Sequence, residues 1–221
     1  MKKSKELFSI VVAVLGSFLS AYGVITFNQS ILASLPLGMR MLAAIVGYWF
    51  IALVPILVMV ITKDRLRDYG FTSDKTSRQV IIGMTIGILM SVLLTVVPHL
   101  LGLASYVDSG KNYQYLWQFI FEFIYCLFGV ALTEEFIFRG LLYKKIKSIG
   151  KSDVIAVAAS SLFFGFFHIF SGNLIQVFLT TVIGAFYCIC RIKIKNCSTL
   201  SLIIAHGIYD ALITLWAFLL L

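Results

Sequence analysis

Two adjacent carboxylates, Glu134 and Glu135, stand at the end of a long apolar run and are followed by Phe136-Ile137-Phe138-Arg139-Gly140. Charge is expensive at membrane depth, so ionisable groups there are functional candidates by default. Glu135 and Arg139 are four residues apart; on a helix they share a face and pair, while Glu134 points about 100° away and stays available for other work. Two histidines join this inventory. His168 closes the run from Ser161, with Phe164 one turn before it, and His206 shares a helix face with Asp210. His99, after Pro98, reads as an interfacial residue. A carboxylate pair, two histidines and an aspartate can activate water: a glutamate serves as general base, assisted by histidine or a metal ion, with donors for an oxyanion. The same residues can also relay protons through a transporter.

The elements that must position these groups are membrane spans. Of 221 residues, 60% are hydrophobic and only 13% charged, against about 25% charged in soluble domains. Seven apolar stretches follow one another at about 7–27, 41–62, 79–103, 114–138, 154–171, 174–191 and 199–221. The expected fold is therefore all-α: a polytopic transmembrane helical bundle, with spans 1 to 3 in residues 1–113 and spans 4 to 7 in residues 114–221. The first run is too long for the core of a cleaved signal peptide, about 7 to 15 residues, and reads as a retained span. Pro55 and Pro98 fall inside spans 2 and 3 and are expected to kink them. Lys63 to Arg78 reads as an interfacial stretch or loop. No internal repeat of the spans is evident, which disfavours a transporter. The four cysteines form no metal-type CxxC pair or disulfide framework. Cys197, next to the membrane, reads as a small apolar residue rather than an acylation site.

The net charge of +8 reports topology rather than nucleic-acid binding. Sixteen of the eighteen Lys and Arg residues fall before span 1 or in the loops after spans 2, 4 and 6; only Arg40 and Lys111 lie on the other side. The N-terminus is thus expected inside and the C-terminus outside.

Spans 4 and 5 form an antiparallel hairpin about a turn near Gly150, which sets Glu134 and His168 level with each other. His206 lies ~10 Å into span 7 from its inner end. On straight helices His168 would stand ~15 Å from that level, so the Ser171-Gly172-Asn173 break is expected within the membrane, lining a water-filled cavity where irregular backbone is tolerated. Glu122, on another face and nearer the outer surface, reads as packing or interfacial.

Glu134-Glu135-x-x-x-Arg139-Gly140, then Phe164-x-x-x-His168, then His206-x-x-x-Asp210 resembles the CPBP family of intramembrane endopeptidases, also called the Abi family, which includes CAAX proteases and bacteriocin-processing or immunity proteins. The resemblance covers about residues 115–215. It implies that Glu134, with His168, activates water for attack on a peptide carbonyl, and that His206 and the residue four later stabilise the oxyanion. Glu135, Arg139 and Phe164 take positioning roles. Many members carry Asn where this chain has Asp210, and an ionised Asp cannot donate a hydrogen bond. Asp210 must then be protonated by burial, act through His206, or bind a metal. The glutamate-type reading needs no cofactor; Zn²⁺ could instead be held by His168, His206 and a carboxylate, Glu134 or Asp210, although no HExxH is present. The implied partners are membrane lipid and a peptide or membrane-protein substrate, with no nucleic acid. The implied setting is a bacterial plasma membrane, in peptide processing or self-immunity. The alternative is a non-catalytic membrane scaffold or immunity protein that binds a peptide partner through its spans.

Reporter fusions near residues 70, 147 and 195 are expected to report the inside, and those near 34, 108 and 221 the outside. A C-terminus on the inside would remove the seven-span arrangement.

Overall fold

The computed structural model describes residues 2–104, 111, 113–171 and 174–220. The fusion points near 108 and 221 and Gly172-Asn173 of the expected break lie outside the described residues. Those described form helices and turns, with no strand among them. Among the described residues, seven helices are long and apolar enough to cross a membrane: α1 (Lys2–Ser30), α2 (Leu37–Ile61), α3 (Thr76–Leu100) and α4 (Leu116–Gly150), α5 (Asp153–Phe167, with the span carried to Phe170 by a 3-10 turn), α6 (Leu174–Lys193) and α7 (Thr199–Leu220). Large apolar side chains such as Leu19, Ile61 and Leu174 point outward, whereas Glu134, Glu135, Arg139 and His206 are buried. That is the arrangement expected where lipid surrounds the protein and the polar groups pair internally.

α4 departs most from the sequence reading. It continues twelve residues past the expected end of span 4, to Gly150, and is π-helical over Tyr125–Ala131 and again over Glu135–Leu142. π-helical turns interrupt the i→i−4 ladder and recur at functional sites; here the two stretches flank the single α-turn Leu132–Glu134. A π-helical stretch in α3, Val92–Val96, precedes Pro98, whose missing N–H cannot serve a regular ladder. The connection from α4 to α5 is two residues long. Lys151 adopts φ 55° to end α4, and the Ser152 hydroxyl accepts from the Ile155 N–H to start α5.

α5 has 15 α-helical residues, about 22 Å at 1.5 Å each, against a hydrocarbon core of about 30 Å. A 3-10 turn, His168–Ser171, follows it directly. His168 therefore sits at the C-terminal end of α5, where the α-helix gives way to the 3-10 turn.

The most extensive packing is between α3 and α7, followed by α4 with α7 and α5 with α6. The α3–α7 contact crosses the division at about residue 113. Gly83 and Gly87 bring the two backbones together: a Cβ on Gly83 would lie 2.5 Å from the Ser201 carbonyl oxygen, and one on Gly87 2.6 Å from that of Ala205. This contact fixes the height of α7, and hence of His206, the next residue.

The segment after α2 is a loop, as expected, but it folds back under the bundle. Tyr69 is fully buried; its hydroxyl donates to Asp64, and its carbonyl accepts from Thr199 Oγ1 at 2.6 Å. Gly70 follows with φ 86°, and a Cβ there would fall 2.4 Å from Arg191. Asp64 also accepts from Lys144 at 2.6 Å and Lys145 at 2.8 Å, and Lys145 reaches Glu6. Burial pulls the Asp64 carboxyl upward, but hydrogen bonds from Lys144, Lys145, Thr62 and Tyr69 outweigh it and hold the group below the usual carboxylate range. Cys197, in the loop before α7, is pushed up to about 11, first by burial and then by Cys190, so it carries little thiolate near neutral pH.

Gly87→Ala is expected to destabilise the protein by about 1–3 kcal/mol through overpacking. Thermal unfolding in detergent measures this, and an unchanged midpoint would show that α3 and α7 can part at no cost.

Candidate active site

The π-helical segment of α4 turns both glutamates toward α7. Glu135 is fully buried and its Oε1 lies 2.8 Å from His206 Nδ1 and 3.1 Å from Arg139 Nη1. Glu134 is also buried, with Oε2 3.8 Å from His206 Nε2. The expected pairing of Glu135 with Arg139 is present. The separation of roles is less complete than an α-helix implies, because both carboxylates reach the same imidazole.

His206 is the hub. Its Nδ1 faces Glu135 and its Nε2 faces Asp210 Oδ2 at 3.2 Å, one turn along α7. With carboxylates at both nitrogens, a doubly protonated ring can donate to both. Asp210 is the more open of the two, with 27% of its side chain exposed against 7% for His206. Glu134 Oε2 makes no hydrogen bond among the described residues.

His168 enters from α5. Its Nδ1 contacts the Phe164 carbonyl oxygen at 2.9 Å, one turn back. Its ring lies 4.8 Å from that of Phe164, which in turn stands edge-on to His206 at 6.1 Å. Glu134 lies within electrostatic reach of His168, His206, Asp210 and Arg139. The structure thus gathers Glu134, Glu135, Arg139, Phe164, His168, His206 and Asp210 into one region. His99 is elsewhere, with Nε2 3.1 Å from the Leu220 carbonyl oxygen at the far end of α7.

The Arg139 guanidinium is buried beneath Phe164, 3.8 Å from the ring centre, with the Tyr187 ring 5.5 Å away on another side. A cation on an aromatic face in a dry setting gains about 2 kcal/mol. On the other flank of α4, Tyr48 of α2 accepts through its carbonyl from Thr133 and packs edge-on against Tyr125 at 5.7 Å. Further out, Glu122 is buried and accepts from Lys111 and from Tyr113 at 2.8 Å, which ties the segment before α4 to the helix.

Sequence reasoning missed Tyr187, Arg191, Tyr69 and the partners of Glu122. Tyr187 carries no charge and lies on an apolar span, and Arg191 was absorbed by the topology count. Only their contacts with Arg139 and His206 single them out. For a metal, the three-ligand set of His168, His206 and a carboxylate does not form: no group of three His, Cys, Asp or Glu side chains among the described residues is placed to hold an ion. No chemical step is accordingly assigned to a metal.

Seven candidate spans around a buried polar centre define an integral, multi-pass membrane protein. Within it, residues 115–212 match the family described as Type II CAAX prenyl endopeptidase Rce1-like. This agrees with the CPBP resemblance. Neither the curated proteins nor the solved structures compared with the chain gave a match.

Replacing Glu135 by Gln is expected to lower thermal stability by about 3–5 kcal/mol, because Arg139 is left without a counter-charge in a dry environment. Glu134→Gln strands no cation and is expected to fold as the wild type does. Equal stabilities for the two variants would contradict the division of work between these neighbours.

Proposed function

We propose that this chain is an intramembrane endopeptidase that hydrolyses a peptide bond of a membrane-associated or prenylated substrate through water activated by Glu134 and His168. The observation that carries this reading is the convergence of Glu134, His206 and Asp210 at 3.2–3.8 Å inside the helical bundle, with His168 in electrostatic reach. The match over residues 115–212 supports the same reaction class.

Glu134 takes a proton from water, with His168 helping to hold that water, and the hydroxide adds to the scissile carbonyl. His206 donates from Nε2 to the developing oxyanion. Glu134 then passes its proton to the leaving amine. Glu135 accepts from Nδ1–H and so fixes the orientation of a doubly protonated His206 ring, whose Nε2–H remains to donate. Of the three routes open to Asp210, its 3.2 Å contact supports action through His206: it accepts from Nε2–H when no oxyanion is present and keeps the donor aimed. Lysine-rich loops around spans suit a bacterial plasma membrane with the N-terminus inside, and peptide processing, export or self-immunity as the setting.

Removing a general base costs at least ~100-fold, so Glu134→Gln and His168→Ala are expected to abolish cleavage while leaving insertion intact. Comparing membrane and secreted peptides from cells with wild-type protein or Glu134→Gln reads this out and reveals the substrate. Full activity in Glu134→Gln would leave the scaffold reading in its place.

Asp210→Asn separates the two roles for that residue. An amide still accepts from His206 and can also donate, so near-normal cleavage is expected, with no stoichiometric metal in the wild type. As a metal ligand the amide is much poorer, and an inactive variant that had lost a bound Zn²⁺ would overturn the glutamate-type mechanism.

A further inference from the structure

Gly184, Tyr187 and Arg191 stand at i, i+3 and i+7 on α6 and so share one face of that helix. Each of the three meets Arg139 or its surroundings at a different point. A Cβ on Gly184 would lie 3.1 Å from the Phe164 ring and 3.2 Å from Arg139 Nη2, so glycine leaves the guanidinium its place. The Tyr187 ring lies 5.5 Å from the guanidinium carbon and 5.8 Å from the His206 ring. Arg191 donates through Nη1 to the Arg139 carbonyl oxygen, inside the π-helical stretch where the regular ladder is interrupted.

Phe164 and Tyr187 each touch both Arg139 and His206. Together they box the chain Arg139–Glu135–His206, whose links are 3.1 and 2.8 Å. α6 carries none of the three motifs, yet it holds Arg139 by both its backbone and its side chain.

We infer that this face of α6 is a fourth part of the site, with Tyr187 and Arg191 as positioning residues that aim His206 through Arg139 and Glu135. The inference rests on the endopeptidase reading for its catalytic consequence. The ring of Tyr187 is the acting part, because its buried hydroxyl makes no hydrogen bond among the described residues. Loss of the ring lets Arg139 shift, Glu135 follows, and the Nε2–H of His206 leaves its line to the oxyanion. Such misplacement lowers turnover and leaves substrate binding largely intact.

The test uses the full chain in detergent, with a farnesylated CAAX peptide as substrate and ¹⁵N-labelled histidine as a second readout; variants of His99 and His168 assign the ring signals. Tyr187→Leu and Arg191→Gln are expected to lower kcat at least ~10-fold with KM little changed, and to shift the His206 Nδ1 resonance away from its hydrogen-bonded position. Tyr187→Phe, which restores the ring, is expected to recover both. The His206 signal is readable whether or not the peptide is cleaved. An unmoved His206 resonance in Tyr187→Leu would overturn the inference, as would a loss in Tyr187→Phe equal to that in Tyr187→Leu. Cleavage by the wild type that Glu134→Gln leaves undiminished would instead overturn the water-activating role of Glu134 on which the proposed mechanism rests, and leave the positioning of His206 to be judged by its resonance alone.

Discussion

A guanidinium removed from water dictates how this site is built. Arg139 cannot lose its proton, and burying it without compensation would cost several kcal/mol. The structure answers with one carboxylate, Glu135, at 3.1 Å and two aromatic faces, Phe164 and Tyr187. Those partners come from α4, α5 and α6, so one cation obliges three helices to meet at one depth. α7 joins them through His206, which shares the Glu135 oxygen that Arg139 contacts. Glu134 stands beside this framework, with Oε2 3.8 Å from His206 Nε2, and the proposed role of general base needs a carboxylate that is not committed to a cation.

The rest of the fold serves the same meeting point. The glycines of α3 let α7 approach until backbone atoms nearly touch, which sets the height of His206. Tyr69 and Gly70 pack against Thr199 at the start of α7 and Arg191 near the end of α6, while Asp64 ties the loop to Lys144 and Lys145 on the extended part of α4. At the end of the short α5, the His168 ring stands 4.8 Å from that of Phe164, which itself meets His206.

The number of spans was legible in the apolar runs, and the residues that converge were legible because charge is conspicuous there: Glu134, Glu135, Arg139 and Asp210 stand out in apolar surroundings, and i,i+4 spacing pairs Glu135 with Arg139 and His206 with Asp210. Three kinds of information were not legible. The π-helical turns of α4 leave no mark in residue type, so the sharing of His206 by both glutamates could not be foreseen from 3.6-residue spacing. Tyr187 and Tyr69 are uncharged, and their importance lies in what they touch. Arg191 and Lys145 belong to basic clusters that the one-sided surplus of charge already explains, so pattern alone gave no reason to expect an internal partner for either of them.

The central claim is that Glu135 and Arg139 form a pair desolvated enough for each to depend on the other, and that this pair supports His206. A double-mutant cycle on Glu135→Gln and Arg139→Met, with thermal stability measured in one detergent, tests it directly. Each single substitution leaves a partner stranded, whereas the double variant removes both charges, so its loss is predicted to fall short of the sum by at least ~1 kcal/mol. Losses that simply add would mean that the two side chains do not depend on each other, and the account of the site built on their pairing would be contradicted.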